Sequence, residues 1–285
     1  IMTGSSQQSF LSGEIMGSDT IVKAVRTAAD DKTVEAIVIR VDSPGGSAVA
    51  SDMIWREIQQ IEKPVFASMG DTAASGGYYI SMGCDKIFAE PGTLTGSIGV
   101  VSGKFATKET FNKVGITTDV IARGKNSGLF SMEEKFTECE REVMTKFMQE
   151  IYDQFTSKAA AGRGIKVKQL HDDLAQGRLW SGQQAKENGL VDEVGTLRDA
   201  IAAVKKEVGI TDDDKVELLI LPKPKGLLEQ LLDPSASDVA LGHTAKNTLD
   251  AVLPKAGQHA ADVILWQKLL DEKAVLMLPY RVEVK

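Results

Sequence analysis

The stretch GDTAASGGYYIS, residues 70–81, decides how this chain is read. It follows an apolar run, Val65-Phe66-Ala67-Ser68-Met69, that reads as a buried strand. Ser75 stands between Ala73-Ala74 and Gly76-Gly77, so nothing bulky opposes a sharp strand-to-helix turn or keeps a substrate from the hydroxyl. Such a turn is where acyl-transfer chemistry puts a nucleophile. The same residues also suit a tight packing turn with an ordinary N-cap serine, and the choice depends on what surrounds them.

Upstream, the β-branched run at residues 34–41 predicts a fully buried strand that enters Asp42-Ser43-Pro44-Gly45-Gly46. A helix follows over residues 47–61, stopped by Lys63-Pro64. Before the strand, Ser18 can cap a helix that buries Ile21, Val22, Ala24, Val25 and Ala28 and ends near Asp30. Strands alternating with helices predict an α/β fold with a parallel sheet, whose sites gather at the carboxyl ends of strands. The Gly45 and Ser75 turns then share one sheet edge, and the N–H groups of Gly45 and Gly76 can form an oxyanion hole. Pro-Gly-Gly alone is usually just a turn; a second glycine-rich turn beside it strengthens the reading.

A hydroxyl nucleophile needs a base. His171, His243 and His259 lie far downstream in polar segments and carry no triad context, which disfavours a Ser-His-Asp arrangement without excluding it by spacing. Lysine is the other known partner. Lys125, in Ala122-Arg123-Gly124-Lys125-Asn126-Ser127-Gly128, follows a predicted strand at residues 117–122 and so belongs to another strand-end loop; a plain surface lysine is the competing reading.

Composition narrows the classes. The 285 residues are 42% hydrophobic and 26% charged, enough for one substantial core with additions. The net charge of −7 offers no footprint for nucleic acid. Cys84 and Cys139 make neither a disulfide framework nor a zinc pattern, and no metal-ligand cluster or cofactor motif occurs. No apolar run reaches the roughly 18 residues of a membrane span, so the chain as given is expected to be soluble.

Residues 1–17 read as a mobile amino-terminal segment and residues 18–221 as the main domain. A long amphipathic helix is predicted over residues 132–161, with Phe136, Val143, Phe147, Ile151 and Phe155 at helical spacing. Ser181 caps a further helix, another spans residues 194–208, and a strand is predicted at residues 216–221. The break Pro222-Lys223-Pro224-Lys225-Gly226 opens a carboxy-terminal extension, residues 222–285. Its apolar end, residues 274–285, is expected to add a strand, to pack on a neighbouring subunit, or to enter the substrate groove as product or inhibitor.

Asp42-Ser43-Pro44-Gly45-Gly46, then residues 68–79, then Ala89-Glu90-Pro91-Gly92-Thr93-Leu94-Thr95-Gly96-Ser97-Ile98-Gly99-Val100 occur in an order that resembles the signal peptide peptidase A family of bacterial serine proteases. Gly177-Arg178-Leu179-Trp180-Ser181-Gly182 and Gly189-Leu190-Val191-Asp192 extend the resemblance, which covers about residues 15–210. It implies a ClpP/crotonase-like fold of repeated β-β-α and βα units and a Ser-Lys dyad. Position by position, Ser75 matches the nucleophile, Lys125 the general base of single-domain members, Ser97 the serine that supports that lysine, and Gly45 the oxyanion-hole glycine. It further implies ring-shaped homo-oligomers, signal-peptide-like substrates, and a membrane anchor outside these residues that holds the domain on the extracytoplasmic face of a bacterial membrane.

The dyad carries a physical requirement. An ordinary lysine keeps its proton to about pH 10.4, whereas a general base works best near ~7–8, a gap worth about 4 kcal/mol. A lysine in this role must be desolvated or set beside another cation, for which Arg123 is the candidate. A strand-end loop on one subunit is too wet for that, so the site is expected to be completed by subunit packing. Two alternatives remain: a non-catalytic half of a double-length peptidase whose base lies in the other half, and a crotonase-type acyl-CoA enzyme sharing the fold.

Overall fold

The computed structural model describes residues 1–9, 13–211, 214, 216–223 and 275–277. A hairpin of β1 (Gln7–Ser9) and β2 (Gly13–Ile15) precedes α1 (Ser18–Asp30). β3 (Ile37–Ser43) passes through Pro44 into the short β4 (Gly45–Ser47) and α2 (Ala48–Ile58). β5 (Val65–Ala74) leads into α3 (Gly76–Ser81), with Ser75 the single residue between them. Then come β6 (Lys86–Ala89), β7 (Leu94–Gly96), α4 (Lys108–Lys113) and the 26-residue α5 (Glu138–Arg163). A one-turn α6 (Val167–Gln169) runs into a π-turn, followed by β8 (Leu179–Ser181), α7 (Gly182–Glu187), β9 (Glu193–Val194) and α8 (Leu197–Glu207). Near the end of the chain, β10 (Val275–Met277) pairs with β4.

β5 is the spine of a six-stranded sheet that is parallel except where β7 meets β8. Along one edge it pairs with β3, Ile37 opposite Val65 and Val41 opposite Met69. Along the other it pairs first with β6, Phe66 opposite Lys86, and then with β7, Ala74 opposite Gly96. Between those partners the carbonyls of β5 would be left without a ladder. In that gap the Thr93 hydroxyl donates to the Gly70 carbonyl at 2.8 Å, and within the β7 ladder the Thr95 hydroxyl donates to the Ala73 carbonyl at 2.7 Å.

The core lies on both faces of β5. One face packs Met69, Ile54, Ile58, Tyr78, Phe155 and Leu170 between the sheet and helices α2, α3 and α5. The other sets Phe66 and Phe88, stacked at 6.1 Å, against Ala200 and Val204 of α8. The β5 sequence, rich in alanine, serine and glycine, permits close layers: a Cβ on Gly70 would lie 2.8 Å from the Asp42 side chain.

Several expectations need correction. β3 is only half-buried, because β5 is its one partner among the described strands. Gly17, not Ser18, occupies the N-cap of α1; Ser18 is buried and donates its N–H to the Met2 carbonyl at 2.9 Å. α5 starts at Glu138 rather than 132, set by a capping box in which Thr137 and Glu140 satisfy each other's backbone N–H. Residues 117–122 and 216–220 form no strand and leave Val120, Ile121, Leu218 and Ile220 exposed. The apolar pattern that predicted them has no partner strand among the described residues. No helix among the described residues is long and apolar enough to cross a membrane.

Candidate active site

Ser75 is the point where β5 becomes α3. Its N–H donates to the Gly96 carbonyl at 2.8 Å, ending the β5–β7 ladder, and its own carbonyl accepts from Tyr79 N–H at 2.8 Å, beginning the helix. Joining the two forces φ 54° and ψ −114°, a backbone region that a residue with a Cβ rarely enters, at a cost on the order of 1–3 kcal/mol. The side chain caps nothing, so the plain N-cap alternative fails. Its hydroxyl is buried and has no hydrogen-bond partner among the described residues. A buried unpaired hydroxyl costs about 1–3 kcal/mol more. A packing turn has no use for two such penalties at one residue.

The two glycine turns meet, as their strand-end positions require. A Cβ on Gly76 would sit 3.2 Å from both Gly45 Cα and Gly46 N, and 2.7 Å from Ser51 Oγ. Gly76, in the first turn of α3, presents an N–H that has no carbonyl within its helix. Gly45 has φ 118°, a glycine conformation. Its N–H, expected from the sequence to serve an oxyanion hole, is engaged here: Ser43 Oγ accepts it at 3.1 Å. Ser43, two residues upstream, escaped the sequence reading. The Ser-x-Gly spacing, which lets a hydroxyl fold back on the backbone, was the available signal.

Ser97 lies next to the Gly96 carbonyl that holds Ser75, is buried, and has φ 49°. It opens onto a cavity of about 560 Å³ lined in part by Val100, Phe136, Met144 and Met148. Ser75, Gly76, Gly45 and Ser97 are thus gathered at one sheet edge. Lys125 is not bonded to them: it is exposed, in a turn within residues 124–130, and Ser75 Oγ has no hydrogen-bond partner among the described residues. Arg123 is exposed as well.

β4 carries Gly45 between two partners. On one side Ile1 donates its amino group to the Gly45 carbonyl at 2.8 Å and accepts from Ser47 N–H at 2.8 Å. On the other β10 runs antiparallel, Leu276 opposite Gly46 and Met277 opposite Gly45. Of the apolar end, Val275–Met277 therefore add a strand beside Gly45.

Residues 57–211, more than half of the chain, match peptidase family S49. The chain is 40% identical over 262 residues to the chloroplastic serine protease SPPA of Arabidopsis thaliana, covering 90% of this chain and 39% of that protein. It is 38% identical over 213 residues to a putative protease of Synechocystis, covering 74% and 76%. A putative signal peptide peptidase SppA of Enterococcus faecium is 35% identical over 220 residues, covering 76% and 64%. The chain belongs to peptidase family S49. Its α/β architecture and parallel-rich sheet are the ClpP/crotonase-like arrangement of that family, and the resemblance to signal peptide peptidase A holds. The chain spans about two fifths of the length of the Arabidopsis relative.

Proposed function

We infer that the chain is a serine endopeptidase in which Ser75 attacks a peptide carbonyl, a neutral lysine amine takes the hydroxyl proton, and the N–H groups of Gly45 and Gly76 hold the oxyanion. The observation that carries this reading is Ser75 between two touching glycine turns, its backbone strained and its buried hydroxyl without a hydrogen-bond partner among the described residues. Collapse of the tetrahedral intermediate expels the amine leaving group, which takes the proton from the lysine; water then hydrolyses the ester by the same route. The Gly45 N–H exchanges Ser43 Oγ for the developing oxyanion, the stronger acceptor.

Substrates are extended apolar peptides, such as remnant signal peptides, added as a strand along β4. The antiparallel seat of Val275–Met277 on that edge supports this mode. The cavity beside Ser97, with Val100, Met144 and Met148 in its lining, supports apolar side chains. Lys125 supplies the base once subunits of a homo-oligomer pack around it, and a membrane anchor outside these residues places the domain at its substrates.

A second reading draws the base from outside this chain. The exposure of Lys125 favours it, as does the share of the chain in the Arabidopsis relative, 39%, and in Protease 4 of Haemophilus influenzae, 33%. Lys125→Ala separates the two: loss of peptide hydrolysis assigns the base to Lys125, and unchanged hydrolysis removes it. The crotonase alternative predicts no acylation of Ser75 by a fluorophosphonate, whereas the peptidase predicts a covalent adduct there.

A further inference from the structure

Behind the nucleophile turn, three helices meet at one polar point. Tyr79, on α3, closes the first helical turn onto the Ser75 carbonyl. Its hydroxyl crosses to α2 and donates to Asp52 Oδ1 at 2.8 Å. Lys158, near the end of α5, donates to the Tyr79 oxygen at 3.0 Å and forms an ion pair with Asp52. The ammonium also lies over the Trp55 ring, 4.3 Å from its centre. Phe155 at 4.7 Å and the edge of Trp55 at 6.3 Å hold the Tyr79 ring in place. Burial and then the Asp52 charge push the Tyr79 phenol above its ordinary range, so it stays protonated and keeps donating.

The same contacts reach the oxyanion side. Asp52 follows Ser51, whose hydroxyl donates to the Ser47 carbonyl at 2.9 Å and fills the space a Cβ on Gly76 would need. Through Asp52 and Ser51, α2 fixes where β4 ends; through Tyr79 and Gly76, α3 fixes where Ser75 turns. A six-residue helix cannot enforce a strained residue at its start unaided. Strain of this kind persists only where the surroundings over-determine it.

We propose that Tyr79, Asp52 and Lys158 are a positioning set that clamps the Ser75–Gly76 turn against Gly45. They make no bond to the Ser75 hydroxyl and act through the backbone of α2 and α3. This rests on the peptidase reading of Ser75, and the test separates the two. Fluorophosphonate labelling of the wild-type chain that disappears in Ser75→Ala establishes the nucleophile first. No labelling of the wild type overturns the peptidase reading, and this inference with it.

With labelling in hand, Tyr79→Phe keeps the ring and removes the bridging hydroxyl, Lys158→Ala removes the cation, and Lys158→Arg returns one. Expected are a kcat for hydrolysis of an apolar peptide about tenfold lower in the first two, KM within about twofold, and recovery of most of kcat by arginine. The Tyr79→Phe/Lys158→Ala double variant is expected to lose no more than the worse single one, because the residues act as a unit. Wild-type kcat in Tyr79→Phe and Lys158→Ala, even with a lowered melting temperature, overturns the proposal and leaves a merely structural cluster. A raised KM at unchanged kcat overturns it equally. Should Lys158→Ala fail to fold, Tyr79→Phe decides alone.

Discussion

At the scale of the residue, Ser75 combines a backbone held at φ 54° with a buried hydroxyl that has no hydrogen-bond partner among the described residues. Both features work against stability, which yields a prediction opposite to that for most core substitutions. Ser75→Ala abolishes acylation and peptide hydrolysis yet does not lower the melting temperature, because it removes a group whose burial costs about 1–3 kcal/mol. Thermal unfolding of the two proteins checks it, and a large destabilisation in the alanine variant would show that the hydroxyl has a structural partner. The sequence pointed to Ser75, Gly76 and Gly45 because each is a small residue at a strand end, and to Ser97 only through the family resemblance. The Ser-x-Gly spacing signalled that the Ser43 hydroxyl can fold back, but the sequence could not settle that it takes the Gly45 N–H, which depends on one side-chain rotation. Nor could it reveal Lys158, which is separated from Asp52 by 106 positions and meets it only through packing.

At the scale of the element, the helix ends were readable where capping chemistry is local, as at Ser181, and less so where tertiary contacts decide, as at Ser18. The failed strands at residues 117–122 and 216–220 have a different cause: a strand needs a neighbour, and periodicity does not say where one comes from. Three predictions belong here. Arg163 grips Asp192 with two nitrogens, at 2.8 and 2.6 Å, while Asp192 also accepts the Ile87 N–H at 2.8 Å. Arg163→Ala strands that carboxylate and costs about 3 kcal/mol in chemical denaturation.

The capping box of α5 gives the pH dependence. The Thr137 N–H, helped by Lys104, holds the Glu140 carboxyl below the usual carboxylate range against its burial. A folded-state value below the unfolded one means stability that is present above the ordinary carboxylate range and lost as pH falls through the depressed value. The melting temperature therefore declines on acidification, and Glu140→Gln shows a shallower decline. Equal slopes in the two proteins would remove Glu140 from the account. The strand seated on β4 supplies a third test: deleting residues 224–285 frees the edge next to Gly45 and lowers KM for apolar peptides, while an unchanged KM would place substrate elsewhere.

At the scale of the whole molecule, the parallel sheet around β5, with α8 on one face and α2, α3 and α5 on the other, was legible because strand-helix alternation admits few arrangements. Among the described residues no base is bonded to the Ser75 hydroxyl. Lys125 is exposed, and the segment around it presents Phe111, Val114, Ile116 and Ile121 to solvent. Completion of the site by a neighbouring subunit predicts specific activity that falls on dilution and returns on reconcentration, followed alongside oligomer mass. Activity constant through dissociation would mean that each subunit suffices.

The central claim is that the Ser75 hydroxyl is a nucleophile in the assembled protein. The most direct measurement is the intact mass of the assembled protein after reaction with a fluorophosphonate, with the adduct mapped to its residue. One adduct per chain, on Ser75 and absent in Ser75→Ala, is the predicted result. An active protein that remains unmodified, or carries its adduct on another residue, would contradict it.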